Sequence, residues 1–255
     1  MKFVYITTSA FGTKQVCDKG QQFYIPVIAK SGANGVEIRE ELITERDIPL
    51  GTLREVVKKE RLECIYSAPV SLWKENGELN RELIWSVVSK AIELEAKIVK
   101  FSLGNFKDNV SNIEALQRVI GQLETEKYNL TLTIENDQTS YGGNLYNLHY
   151  FLKQCEKYNI PISMTFDVGN WNWTNEDPIE AAEKLSKYVV YIHFKHVDRD
   201  RTQLNTVPLP EAPNAIWRKV LAKLPQDALR AIEFPITGIN LEEETIKYVT
   251  LLKNA

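Results

Sequence analysis

The chain has 255 residues, of which 44% are hydrophobic and 25% are charged, and its formal net charge is −3. This length allows a large hydrophobic core, and we expect residues 1–255 to form a single domain because no linker or low-complexity tract divides them. The nearly balanced charge argues against nucleic acid as a partner and against a disordered chain. No apolar run approaches the roughly 18–20 residues of a membrane helix, so we expect no membrane association.

Three widely spaced cysteines indicate the compartment in which the protein works. Cys17, Cys64 and Cys155 form no CxxC pair, and such a sparse, odd-numbered set is typical of reduced thiols rather than of a disulfide framework. The N-terminal residues 1–10 contain a single lysine and a short apolar stretch, which is more typical of a first strand than of a signal peptide. These features predict a cytoplasmic protein.

Segments typical of strands alternate with amphipathic helical segments along the whole chain. The predicted strands are residues 3–8, 35–39, 62–67, 97–103, 130–135, 162–167, 189–195 and 229–234. The clearest predicted helices are residues 83–94, 112–127, 216–224 and 242–252. Repeated βα units favour a parallel sheet covered by helices, and this number of units favours closure into a single (β/α)8 TIM barrel of the α/β class. An open doubly wound sheet is the alternative, but no glycine-rich nucleotide-binding motif follows the first strand.

The longest predicted connection follows the seventh strand. Residues 198–214 contain Pro208, Pro210 and Pro213, and we expect this segment to be a long loop. Long loops at the carboxyl ends of barrel strands often carry functional residues, so this loop is expected to border the active face of the barrel.

One polar residue stands at or near the end of each of the last four predicted strands: Glu135, Asp167, His193 and Glu233. The period-two alternation of a strand puts each of them opposite large apolar neighbours, on the face that would line the lumen of a closed barrel. Three carboxylates and an imidazole form a hard donor set that suits one divalent metal ion, namely Mn²⁺, Mg²⁺ or Co²⁺, with Zn²⁺ also possible.

Buried ion pairs are the alternative interpretation of these carboxylates, because buried charges need compensation. Lys100 and Lys195 have the strand parity required to reach the lumen and could supply that compensation. Lys195 could instead contact substrate. Glu37 and Arg39, on the second strand, are predicted to form an ion pair in the lumen.

An aromatic residue, Trp171, follows the sixth predicted strand after three intervening residues. The ring of Trp171 could form the apolar wall of a sugar site, or it could shield the hydrophobic core from water.

The chain resembles the xylose-isomerase-like TIM-barrel superfamily, in its sugar phosphate isomerase/epimerase branch, and is similar to ketose 3-epimerases. The resemblance rests on four motifs in order, Ile134-Glu-Asn136, Phe166-Asp-Val-Gly-Asn170, Tyr191-Ile-His-Phe-Lys195 and Ile232-Glu-Phe234. It implies one divalent metal ion bound by Glu135, Asp167, His193 and Glu233. It also implies that Glu135 and Glu233 act as catalytic acid and base.

Four residues near these motifs are expected to bind substrate. The resemblance implies a substrate contact for Arg199, because an arginine stands six residues after the metal histidine in such epimerases. Asn170 occupies a position where family members often have histidine, so the contact made there is expected to differ. Lys195 and Trp171 complete the predicted substrate-binding set.

The resemblance implies a metal-dependent isomerase or epimerase that acts on a small sugar, keto-sugar or sugar phosphate through an ene-diolate intermediate. An inosose-type dehydratase using the same site, and a barrel that binds sugar without catalysis, remain alternatives. A phosphodiesterase of the endonuclease-IV type is disfavoured, because the chain has only three histidines. The expected partner is a small-molecule sugar, and a homo-oligomer is possible.

Overall fold

A closed ring of parallel strands forms the centre of the computed structural model, which describes residues 2–200 and 203–255. In chain order the strands are β1 (Val4–Thr7), β2 (Gly35–Arg39), β3 (Glu63–Trp73), β4 (Ile98–Gly104), β5 (Thr131–Glu135), β6 (Ile162–Asp167), β7 (Val189–Phe194), β8 (His196–Asp200), β9 (Gln203–Val207) and β10 (Leu229–Ile232). The barrel contains β1 to β7 in sequential order, and β10 closes it between β7 and β1. The predicted (β/α)8 barrel is therefore confirmed.

Helices cover the outside of this ring and connect its strands. They are α1 (Thr13–Lys19), α2 (Ile25–Lys30), α3 (Leu50–Lys59), α4 (Arg81–Glu93), α5 (Ile113–Gln122), α6 (Leu145–Lys157), α7 (Trp171–Thr174), α8 (Pro178–Leu185), α9 (Ile216–Leu221) and α10 (Leu241–Lys253). Side chains of Asn112, Asn144, Asp177 and Asn240 cap α5, α6, α8 and α10 by accepting hydrogen bonds from backbone N–H groups of the first turn. None of the helices in the described ranges is both long enough and apolar enough to cross a bilayer.

The predicted helix 112–127 is too long at its carboxyl end. Helix α5 ends at Gln122, and Glu124 adopts a left-handed conformation with a φ of 48°. A separate 3-10 helix, Thr125–Tyr128, follows. The apolar pattern continued past the real end because Leu123 is still buried in the core, so the periodicity did not register the break.

The predicted loop 198–214 is partly ordered as a β-hairpin. Strand β8 directly follows the barrel strand β7, and it pairs with β9 in antiparallel register from His196–Val207 to Asp200–Gln203. Asp198, Arg199 and Asp200 are exposed. Val197 is the one buried residue of these two strands, so they lack the apolar alternation of a half-buried strand and were not predicted from the sequence.

Strand β3 extends beyond its predicted end at residue 67. Its register against β4 shifts between Ser67, which pairs with Lys100, and Ser71, which pairs with Ser102. The irregular segment contains Pro69, which cannot donate a ladder hydrogen bond, so the strand pattern appeared to stop there. The segment lies at the carboxyl end of the barrel, where Pro69 lines a cavity.

The lumen changes from apolar to polar along the barrel axis. Its amino-terminal part is filled by a small buried cluster of Tyr5, Ile65, Ile98, Tyr191 and Ala231. Closer to the carboxyl ends, the hydroxyls of Thr133 and Thr165 hydrogen-bond each other at 2.8 Å. The polar part of the lumen is therefore at the carboxyl ends of the strands, where the active sites of barrel enzymes lie.

Candidate functional site

The four residues expected to bind metal come together at the carboxyl end of the lumen. Glu135 and Asp167 are the last residues of β5 and β6, His193 lies in β7, and Glu233 directly follows β10. One ligand atom from each residue lies within 4.8 Å of those from the other three. The four side chains therefore share the lumen face of the barrel, as the alternation of their strands predicted.

The backbone after β6 holds Asp167 in one orientation. Its Oδ1 accepts hydrogen bonds from the N–H groups of Gly169, at 2.8 Å, and Asn170, at 2.7 Å. The buried side chain of Asn136 links this residue to β5, because it donates to the Asp167 carbonyl and accepts from the Asp167 N–H. The Oδ2 of Asp167 makes no hydrogen bond of regular geometry and faces the other members of the cluster and the Lys195 ammonium.

His193 lies at the centre of the carboxylates. Its Nε2 is 2.7 Å from Glu37 Oε2 on the opposite side of the lumen. Its Nδ1 lies 2.9 Å from Glu135 Oε1 and 3.1 Å from Glu233 Oε2, but these contacts do not have hydrogen-bond geometry. The described residues therefore leave Nδ1, Glu135 Oε1 and Asp167 Oδ2 buried without hydrogen-bond partners, and these atoms face one another.

Two cations neutralise the carboxylates on the β6 and β10 side of the site. The Lys195 ammonium lies 2.8 Å from Asp167 Oδ2 and 3.0 Å from Glu233 Oε2. The other oxygen of Glu233 is paired with the Arg39 guanidinium. Lys195 therefore compensates the buried carboxylates, as the sequence allowed.

A third cation lies between the carboxylates of β5 and β2. The Lys100 ammonium is 2.6 Å from Glu135 Oε2 and 3.7 Å from Glu37 Oε1. Glu37 also forms the predicted lumen ion pair with Arg39, at 3.2 Å. The ion pairs that the sequence suggested are therefore present, and in Glu135 they use Oε2 and leave Oε1 without a partner.

The crowding of negative charge affects the pKa values of the carboxyl groups. Burial raises the pKa of Asp167 to about 7, and the neighbouring Glu233 and Glu135 act in the same direction against Lys195. Burial also disfavours ionisation of the two glutamates, but the pKa values of both are lowered because Lys100 at Glu135 and Lys195 at Glu233 act together with His193 against it. A divalent cation would relieve the remaining repulsion among the three carboxylates.

These residues fit a divalent metal ion. The buried atoms without hydrogen-bond partners belong to three of the four members of the cluster, and metal coordination would satisfy all of them. The donor set of three carboxylates and one imidazole is rich in oxygen, as Mn²⁺ and Mg²⁺ prefer. Glu135, Asp167, His193 and Glu233 could therefore hold the ion.

A cavity of about 300 Å³ opens above this cluster. It is lined by Arg39, Ser67, Ala68, Pro69, Lys100, Phe101, Ser102, Glu135, Asp137, Gln138, Asn170, Lys195 and Glu233. The side chains of Glu135 and Glu233 are each 12% exposed, whereas Asp167 and His193 are fully buried. The two glutamates therefore form part of the cavity wall, and the other two residues lie beneath it.

The predicted substrate-binding residues lie in different environments. Lys195 and Asn170 line the cavity, although the Asn170 amide also donates to the Asn136 carbonyl at 2.8 Å. Arg199 is exposed on the hairpin strand β8, and its contact with substrate stays a prediction. Trp171 is fully buried, with its ring 5.5 Å from that of Phe166, so it shields the core rather than lining the cavity.

The sequence did not reveal the role of Glu37 at this site. Its strand parity correctly placed it in the lumen, but Glu37 lies on β2 and His193 on β7, which are not neighbours in the ring. A contact across the lumen depends on barrel diameter and on side-chain rotamers, and neither is visible in a strand pattern. The hydrogen bond from Tyr191 to Glu37 escaped prediction for the same reason.

Comparison with solved structures supports the same architecture. A xylose isomerase domain containing protein from Salmonella typhimurium LT2 has a TM-score of 0.71 and 16% identity, with 98% of this chain and 97% of the other covered. D-allulose 3-epimerase from Methylomonas sp. has a TM-score of 0.68 and 12% identity, covering 99% and 96%. The probable 3-DHS dehydratase AsbF from Bacillus anthracis has a TM-score of 0.66 and 13% identity, covering 100% and 99%. At these identities the likeness establishes the fold alone.

Sequence comparison identifies the family. No curated protein sequence matches the chain. A family model described as xylose isomerase-like TIM barrel matches residues 25–230, which is well over half of the chain. Together with the closed eight-stranded barrel, this match shows that the chain belongs to the xylose isomerase-like TIM-barrel family.

Proposed function

We propose that the protein is a divalent-metal-dependent isomerase or epimerase of a small sugar, keto-sugar or sugar phosphate. The observation that carries this proposal is the position of Glu135 and Glu233, the two members of the cluster that line the cavity. The structural likeness to D-allulose 3-epimerase, which was crystallised with D-allulose, supports a sugar as the substrate class. A cavity of about 300 Å³ is compatible with a small molecule.

The chain's own residues suit proton transfer at a carbon beside a carbonyl. A divalent ion held by the cluster supplies Lewis acidity, which makes such a C–H group easier to deprotonate. Strands β6 and β7 separate β5 from β10 in the ring, so Glu135 and Glu233 would approach a substrate from different sides. Lys100 beside Glu135, Lys195 beside Glu233, and His193 beside both lower the pKa values of the two glutamates, which favours the ionised form that a base requires.

The fate of the proton would decide the reaction type. Removal by one glutamate and return by the other to the opposite face of the same carbon is epimerisation. Return of the proton to the neighbouring carbon is aldose–ketose isomerisation. Analysis of the products formed from a panel of ketoses and aldoses distinguishes the two reactions.

Dehydration is the second candidate, because the probable 3-DHS dehydratase AsbF shares the fold over the whole chain. The same proton removal would then be followed by loss of a hydroxyl group from the adjacent carbon. A dehydration product lacks one water relative to the substrate, whereas epimerisation and isomerisation conserve mass. Mass spectrometry of the reaction products therefore separates these classes.

Metal binding is the most direct test of the proposed site. Protein stripped with a chelator and titrated calorimetrically with Mn²⁺, Mg²⁺, Co²⁺ and Zn²⁺ should bind about one ion per chain. Asp167→Ala and His193→Ala should abolish this binding while the circular dichroism spectrum is retained. His149→Ala, on the outer helix α6, is the matched control and should bind normally. Full metal affinity in either cluster variant would refute the assignment.

A further inference from the structure

Glu37 is a buried carboxylate that the proposed proton chemistry does not use. It is fully buried on β2 and reaches across the lumen to β7. Its Oε2 lies 2.7 Å from His193 Nε2 and accepts a hydrogen bond from the Tyr191 hydroxyl, also at 2.7 Å. Its Oε1 faces the cations Arg39 and Lys100. The two oxygens of Glu37 therefore have different partners, because Oε1 lies near two cations and Oε2 contacts the imidazole of His193.

The contact with Glu37 determines which nitrogen of His193 is available to a metal ion. An ionised carboxylate can only accept a hydrogen bond, so a neutral imidazole must carry its proton on the nitrogen that faces Glu37. That nitrogen is Nε2, and the lone pair is then on Nδ1. The structure directs Nδ1 towards Glu135 and Glu233 and leaves it without a hydrogen bond.

We propose that Glu37 is a positioning residue that fixes the tautomer and orientation of His193, so that Nδ1 faces the metal donor set. This inference rests on the proposed metal site. Carboxylates that hydrogen-bond the distal nitrogen of a metal-binding histidine commonly contribute about 10–100-fold to metal affinity. The other oxygen of Glu37 lies 3.2 Å from the Arg39 guanidinium and 3.7 Å from the Lys100 ammonium, and these two cations favour the ionised carboxylate.

Tyr191 provides a matched control for this role. Its hydroxyl donates to the same oxygen of Glu37 that faces His193, and its ring packs edge-on against the imidazole at 4.9 Å. Tyr191→Phe would remove one hydrogen bond of Glu37 and keep both the ring and the contact between Glu37 and His193. If metal affinity depended only on the overall integrity of these hydrogen bonds, both variants would lose affinity. If Glu37 positions His193 as proposed, only the Glu37 variant loses affinity.

The first test compares metal dissociation constants. Glu37→Gln removes the charge and can present its amide N–H₂ to His193 Nε2, which would force the proton onto Nδ1. It should weaken Mn²⁺ and Zn²⁺ binding about 10–100-fold, while Tyr191→Phe should stay within about threefold. Equal affinities in the wild type and Glu37→Gln would overturn the proposal. If His193→Ala also retained affinity, the metal site itself would be wrong.

The second test uses wild-type protein and does not depend on the folding of a variant. Nitrogen-15 spectra of the Zn²⁺-loaded protein report which nitrogen of His193 carries the proton. The proposal expects the proton on Nε2 and the metal-shifted resonance on Nδ1. A proton on Nδ1, or metal coordination through Nε2, would overturn it.

Discussion

At the level of single residues, the site is organised by a nearly balanced set of buried charges. Four carboxylates share the carboxyl end of the lumen with three cations, so one negative charge is in excess when His193 is neutral. The carboxylates are Glu37, Glu135, Asp167 and Glu233, and the cations are Arg39, Lys100 and Lys195. Bound divalent metal would reverse the sign of this balance, so metal content and protein stability should be coupled.

Lys195 should stabilise the metal-free protein more than it stabilises the metal-bound protein. Replacing it in Lys195→Met leaves Asp167 and Glu233 without their shared ammonium, and loss of one buried partner costs on the order of 3–5 kcal/mol. Saturating Mn²⁺ should restore more stability to this variant than to the wild type, because the ion supplies positive charge at the same carboxylates. Urea unfolding with chelator and with metal measures both effects.

The control for this prediction is Lys187→Met, which breaks an exposed pair with Glu156 and should change stability little. Equal stability of Lys195→Met and the wild type in chelator would show that Lys195 does not compensate the buried carboxylates.

The two glutamates of the cavity wall should be needed for turnover rather than for folding. Glu135→Gln and Glu233→Gln retain the side-chain shape but remove the base, and loss of a general base typically costs about 10²–10⁴-fold in rate. Turnover of the wild type in D₂O should place deuterium at the reacting carbon of the product, detected by mass spectrometry. Near-normal rates in both variants would contradict the two-glutamate mechanism.

At the level of elements, the hairpin of β8 and β9 extends the polypeptide directly beyond β7, the strand that carries His193. Only Lys195 separates β7 from β8, so the position of the hairpin is tied to that of Lys195 at the cavity. Such an extension at the carboxyl end of a barrel strand is suited to contact a bound substrate. Arg199, in the middle of β8, is the cation on the hairpin that the family resemblance relates to substrate binding.

Arg199→Ala should raise KM or lower kcat for the true substrate without changing metal affinity. The reason is that Arg199 is exposed on the hairpin and lies outside the set of four cluster residues. Steady-state kinetics and calorimetric metal titration check the two parts separately. Arg118→Ala, at an exposed position of α5, serves as the control. Kinetics indistinguishable from those of the control would show that Arg199 has no role in substrate binding.

At the level of the whole molecule, the regular parts of the structure were predictable and the irregular parts were not. Strand alternation identified eight barrel strands and the shared face of Glu135, Asp167, His193 and Glu233, because burial on one face imposes a period of two. The inward packing of Trp171 and the contact of Glu37 with His193 depend on three-dimensional packing, which leaves no periodic signal in the sequence.

The barrel is closely packed around Gly35, at the amino-terminal end of β2. A Cβ atom on Gly35 would lie 2.2 Å from Cε1 of Tyr5, whose ring fills the lumen, and 2.6 Å from the carbonyl oxygen of Glu63. The tyrosine can shift only by disturbing its contact with Tyr191, and the backbone carbonyl belongs to the neighbouring strand β3. Gly35→Ala should therefore destabilise the protein by about 1–3 kcal/mol or more through overpacking.

The matched control is Gly121→Ala, because a Cβ atom at this exposed position of α5 meets nothing within 4 Å. It should leave stability unchanged or raise it by up to about 1 kcal/mol, since alanine favours helix over glycine. Thermal unfolding of both variants in the presence of chelator compares them without a contribution from bound metal. If Gly35→Ala were as stable as Gly121→Ala, the lumen around Tyr5 would have space for a methyl group, and the overpacking argument would be wrong. The absence of a side chain at Gly35 is thus the feature that lets the tyrosine plug one end of the lumen while the charged cluster occupies the other.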